Sequence, residues 1–89
     1  MKLNKNFITH DTAEEHFMMA VGESDFKGLV RNNKTAAFIV DCLKNETSEE
    51  EIVGKMLEKY DAPREVIAAD LGRILATLRK IGALDEDNL

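Results

Sequence analysis

Three sets of residues in this chain are of types that do chemistry: one thiol, two imidazoles among carboxylates, and a run of cations near the end. The thiol, Cys42, falls between Ile39 and Leu43 at helical spacing. A small side chain on an apolar helical face acts as a hydrophobe, and no base accompanies it to raise a nucleophile. It is also the chain's one cysteine, so no intrachain disulfide forms and no C-x-x-C zinc pair exists. That usage fits a reducing compartment, and the expected location is the cytoplasm. His10 and His16 bracket Asp11, Glu14 and Glu15. Their spacing matches no ligand motif, so they read as solvated turn residues and no metal is expected. Arg64, Arg73, Arg79 and Lys80 could meet phosphates, but Glu65 and Asp70 lie among them.

Bulk charge weighs on the same question. The formal net charge is −5. A nucleic-acid-binding domain must neutralise several phosphates, and an acidic chain does so only through a local basic patch. Five aromatic residues, one Tyr and four Phe with no Trp, make a poor stacking platform for single strands. The sequence holds no Gly-rich phosphate loop and no nucleophile–base constellation, so neither an enzyme nor a cofactor is expected.

The elements that would position any site divide into two periods. With 89 residues, 44% of them apolar and 33% charged, one globular domain over residues 1–89 is expected, its core about 7–84. Phe7–Thr9 is a short apolar run. His16–Val21 alternates, with Phe17, Met19 and Val21 on one face. Gly22–Asp25 has turn chemistry. Phe26–Arg31 reads as a third strand, with Phe26, Gly28 and Val30 on one face and Lys27, Leu29 and Arg31 on the other. Short connections imply an antiparallel meander.

Helical period begins at Asn32–Asn33, either of which can cap. Ala36, Ile39, Val40 and Leu43 recur on one face, and Lys44–Glu46 closes the helix. Thr47-Ser48-Glu49-Glu50 reads as a capping box with Thr47 as the cap. Ile52, Val53, Met56, Leu57 and Tyr60 form the second stripe. The third helix opens near Pro63, which suits a first turn. Its stripe is Ile67, Leu71, Ile74, Leu78 and Ile81. Gly82 suits the position after the last turn, with Leu84 folding back onto it. Asp85–Asn88 reads as a frayed acidic tail. The longest unbroken apolar run, Ala36–Val40, is far short of a bilayer span. The expected fold is α+β and winged-helix-like: a three-stranded antiparallel sheet followed by three α-helices.

In order and spacing the residues resemble the PqqD-like family, leader-recognition domains of ribosomal peptide modification named after a pyrroloquinoline quinone biosynthesis protein. The resemblance rests on Leu29-Val30-Arg31-Asn32-Asn33-Lys34-Thr35-Ala36-Ala37-Phe38-Ile39, then Thr47-Ser48-Glu49-Glu50-Glu51-Ile52. Tyr60-Asp61 before the Pro63 start, Asp70-Leu71, and Leu78 with Gly82 and Leu84 complete it. It spans about Phe7 to Leu84. The chain departs from the family at Arg31, where Leu is favoured, and at Val40, where Trp is common.

The resemblance implies a non-catalytic module that binds an unfolded leader as a strand added to the third β-strand, against the third helix. It also implies delivery of the precursor to a modifying enzyme, often a radical S-adenosylmethionine enzyme. Strand addition needs an unpaired edge, since main-chain hydrogen bonds carry much of the affinity. Gly28 would allow close backbone approach. Lys27 and Arg31 would meet acidic leader residues, and Leu29 offers an apolar contact. On the third helix Ala68, Gly72 and Leu75 would leave a shallow groove beside the stripe that contains Leu71, with Arg79 on the same flank. Lys27 and Arg31 also have a simpler reading, as edge charges that discourage aggregation. The competing function is a winged-helix DNA-binding regulator, with the third helix in the major groove. Exposed strand edges leave both a monomer and a weak homodimer open.

Overall fold

The computed structural model describes residues 1–21 and 28–86. The predicted turn at Gly22–Asp25, with Phe26 and Lys27, lies outside the described residues, as do Asp87 and Asn88 of the predicted tail. The elements in order are β1 (Lys2–Leu3), β2 (Phe7–Asp11), β3 (His16–Ala20), β4 (Leu29–Asn32), α1 (Lys34–Cys42), α2 (Glu49–Lys59), α3 (Arg64–Lys80) and β5 (Leu84–Asp85). The α+β order of strands then helices is as expected. β2, β3 and β4 form one antiparallel sheet in that spatial order.

The sheet covers the core with one face only. Phe7 and Met18 are buried, and Ala20 and Val30 pack against them. The register sets Met18 opposite both Thr9 and Val30, and Phe7 opposite Ala20. Phe17, Met19 and Val21 do share a face, but it is the outward one. Burial of Met18 fixes that parity, because neighbouring residues of a strand point to opposite faces. Met19 and Val21 are accordingly exposed.

A second, two-stranded sheet was not expected. β1 pairs with β5, Lys2 opposite Asp85 and Leu3 opposite Leu84. The same segment bonds on its other side to the loop after α1, through Leu3 N to Leu43 O at 2.7 Å and Thr47 N to Met1 O at 2.9 Å. Leu84 thus lies in a strand while still packing against the core beside α3, and Asp85 belongs to that strand and not to a frayed tail. The last turn of α3 is closed by Gly82 at φ 78. The Gly82 amide donates to Arg79 O and the Ala83 amide to Leu78 O. This is the paired capping pattern that favours glycine, and buried Ala83 makes its apolar contact.

The helices bury the faces that their period allows. α1 is capped by Asn33, whose side chain accepts from the Ala36 amide at 2.8 Å. It ends at Cys42, earlier than the sequence suggested. α2 is capped by Ser48, not Thr47: Ser48 Oγ accepts from the Glu51 amide at 3.2 Å. Thr47 is held one residue outside the helix by its backbone bonds to Met1 and is buried. On α3 the buried residues are Ile67, Leu71, Leu75 and Leu78. Ile74 and Ile81 are only partly buried. The core stripe is therefore rotated by roughly 40° toward Leu75 from the expected one.

Candidate functional site

Within the sheet β4 pairs with β3 alone among the described residues, so its other edge is unpaired. Unpaired amides and carbonyls along an edge are a template for another strand. Alternation along β4 sends Val30 to the core and Leu29 and Arg31 outward. Leu29 is 58% exposed, the most among the exposed large hydrophobics. The Arg31 side chain is 73% exposed, and its partner Glu15 lies 3.7 Å away, beyond hydrogen-bond distance. Gly28, also exposed, precedes the strand. The structure therefore brings Gly28, Leu29 and Arg31 together on one free edge.

The far end of that edge is anchored. Asn32 Nδ2 stands 3.0 Å from His16 Nδ1, across the β3–β4 register pair that these residues form. His16 Nε2 faces Asp11 Oδ1 at 3.3 Å, the residue opposite it on β2. The Asn32–His16 bond thus ties β4 to β3 where α1 begins, while His16 Nε2 makes no hydrogen bond. Beyond it opens a recess of about 590 Å³ between the β2–β3 turn and the start of α1, lined by the cations Arg31 and Lys34 and the carboxylates Glu14 and Glu15. The opposed charges suit no single ionic ligand.

The residues singled out on α3 are not brought together in the expected way. Leu75 is fully buried and Leu71 nearly so, so both are core and neither presents a side chain to the surface. Ala68 and Gly72 are exposed. Arg79 is already engaged: its guanidinium makes a two-pronged pair with Glu86, at 2.8 and 3.1 Å, and reaches Glu49 of α2 at 3.6 Å. These bonds raise the Arg79 pKa further and hold Glu86 below the usual carboxylate range. Glu86 follows the helix by a turn and a strand, so sequence periodicity carries no signal for the pair. Arg73 is likewise paired with Asp70 at 3.1 Å. Two of the four α3 cations that a DNA-reading helix would use are thus spent on carboxylates of the chain itself.

Cys42 is only partly buried, and desolvation pushes its thiol pKa up, against the thiolate that a nucleophile needs. Among the described residues no cluster of His, Cys, Asp and Glu could hold a metal ion. No described helix is long and apolar enough to cross a membrane.

The family model of PqqD, coenzyme PQQ synthesis protein D, matches residues 15–84. The chain belongs to the PqqD family. Among curated proteins, none matches it in sequence. Two solved structures share the fold of this PqqD-family chain. TbiB1 in complex with the TbiA(beta) leader peptide superposes with a TM-score of 0.78 at 19% identity, covering 96% of this chain and all (100%) of its own. Lasso peptide synthetase B1 complexed with the leader peptide gives 0.76 at 18% identity, covering 92% and 93%.

Proposed function

We propose that this PqqD-family chain is a non-catalytic module that captures the leader segment of a ribosomally made precursor peptide and presents it to a modifying enzyme in the cytoplasm. The observation that carries the reading is the free edge of β4 with Leu29 and Arg31 exposed on it, in a fold shared with two solved complexes with leader peptides. A leader added to β4 gains a ladder of main-chain hydrogen bonds, which any extended peptide can make. Side chains along the edge then choose among peptides. Gly28, Leu29 and Arg31, with Lys27 before them, are the edge contacts, and the exposed Ala68 and Gly72 of α3 are the small residues offered from the helical layer. Leu71 and Leu75 support α3 from within, and Arg79 acts through its ion pairs. The PqqD relation favours a radical S-adenosylmethionine enzyme as the partner that receives the peptide.

Titration of peptides encoded beside the gene into isotopically labelled protein, followed by NMR, tests this. Saturable shifts centred on residues 28–32 are expected. Spectra unmoved by every such peptide, with shifts on adding duplex DNA, would sink the reading.

A further inference from the structure

On the premise that a peptide does add to β4, we infer that this edge selects a peptide with one apolar and one acidic residue two positions apart. The inference comes from the rows that cross the sheet. The register places Ile8, Met19 and Leu29 side by side on the outward face. All three are apolar and exposed, at 47%, 37% and 58%. The next row along the strands is His10, Phe17 and Arg31. A strand added to β4 supplies one further residue to each row, and those two residues are two apart in its sequence because side chains alternate.

Chemistry at the end of each row sets what fits. Beside Leu29, an apolar side chain extends a row of three hydrophobes and covers the most exposed of them. Cross-strand neighbours of this kind stabilise a pair relative to small side chains. Beside Arg31, a carboxylate meets a guanidinium whose Glu15 partner, at 3.7 Å, forms no hydrogen bond to it. None of the other outward positions of the three strands is acidic, so the like charge that an incoming carboxylate meets at Arg31 is Glu15, just before β3. The whole chain nevertheless carries a net charge of −5. A peptide acidic along its length is repelled at distances shorter than the screening length. The edge therefore favours one placed carboxylate over many. The order, apolar-x-acidic or acidic-x-apolar, follows from whether the peptide runs parallel or antiparallel to β4.

The test is selection of short random peptides from a display library on the immobilised full chain, run in parallel on Arg31→Glu and Arg31→Gln. The wild type is expected to enrich Asp or Glu two positions from an apolar residue. Arg31→Glu should exchange the acid for Lys or Arg, and Arg31→Gln should lose the charge preference while keeping the apolar one. Changing the acid of an enriched peptide to Lys should weaken wild-type binding roughly three- to tenfold and strengthen binding to Arg31→Glu. Enriched peptides with no charge preference, or a preference unchanged by Arg31→Glu, overturn the inference while leaving peptide capture standing. Enrichment of no peptide at all overturns both.

Discussion

Asn32 Nδ2 lies 3.0 Å from His16 Nδ1 and so joins the last residue of β4 to the first of β3. The other ring nitrogen, Nε2, is buried and lies 3.3 Å from Asp11 Oδ1 without a hydrogen bond. The arrangement fastens the free edge strand at the end where α1 leaves it. Asn32→Ala is expected to cost about 1 kcal/mol, the usual net value of one hydrogen bond. It should also speed amide exchange along β4 more than along β2. Hydrogen exchange followed by NMR measures both, and uniform acceleration across the sheet would mean that the bond does not act on the edge.

Leu75 and Ala68 were expected to share a groove, yet Leu75 is fully buried and Ala68 is exposed. Leu75→Ala should therefore cost about 2–5 kcal/mol through lost burial and a residual cavity. Ala68→Ser should stay within about 0.5 kcal/mol. Urea unfolding of the two variants reads the difference directly. Equal midpoints would return Leu75 to the surface.

Much of this fold is legible in the sequence because periods of two and 3.6 survive in it. What is not legible is which side of an element is buried when both sides are apolar. Phe17, Met19 and Val21 make as good an apolar row as Met18 and Ala20, and only packing against the helices decides for the second. On α3 the choice among Ile74, Ile81 and Leu75 is a choice among hydrophobes, settled by where the neighbouring layers lie. β1 and β5 are two residues each, too short to show a period. The outward placing of Leu29 and Arg31 was legible because the charge of Arg31 marks the solvent side of a strand whose other side carries Val30. The engagement of Arg79 was not, since Glu86 lies beyond the helix.

Thr47 and Ser48 differ by one position and have opposite consequences. Ser48 caps α2, so Ser48→Ala should cost about 1 kcal/mol. The Thr47 hydroxyl is buried with no hydrogen-bond partner, and Thr47→Val keeps its shape while removing that polar group. Stability should rise by about 1 kcal/mol, the lower range for an unsatisfied buried group. Thermal melts of both variants check the pair of signs. A loss in Thr47→Val would make Thr47 the cap after all.

Glu86 is held below its ordinary carboxylate pKa by the hydrogen bonds from Arg79. A depressed carboxylate contributes stability above its unfolded pKa, and loses it as pH falls through the folded value. Glu86→Gln should thus melt below the wild type at neutral pH, and the two curves should converge in acid. Both side chains face solvent, so the gap should shrink with added salt. Thermal midpoints across pH at low and high salt measure this. A gap that persists in acid would assign the effect to packing.

Leu29 and Ile8 occupy opposite ends of one apolar row across the sheet, Leu29 at the β4 edge and Ile8 at the β2 edge. Both are exposed, so Leu29→Ser and Ile8→Ser should each change stability by no more than about 0.5 kcal/mol. Their effects on peptide capture should nevertheless diverge. A leader on β4 packs a side chain directly beside Leu29 and lies three strands away from Ile8. Neighbours in a cross-strand pair interact at about 5 Å, and that distance is exceeded at once on the far edge. Leu29→Ser should weaken leader binding by roughly tenfold, the equivalent of about 1.4 kcal/mol. Ile8→Ser should leave it unchanged. Fluorescence anisotropy with a labelled leader peptide separates the cases. The reverse ranking would move the peptide to β2, where His10, not Arg31, would face its charged residue.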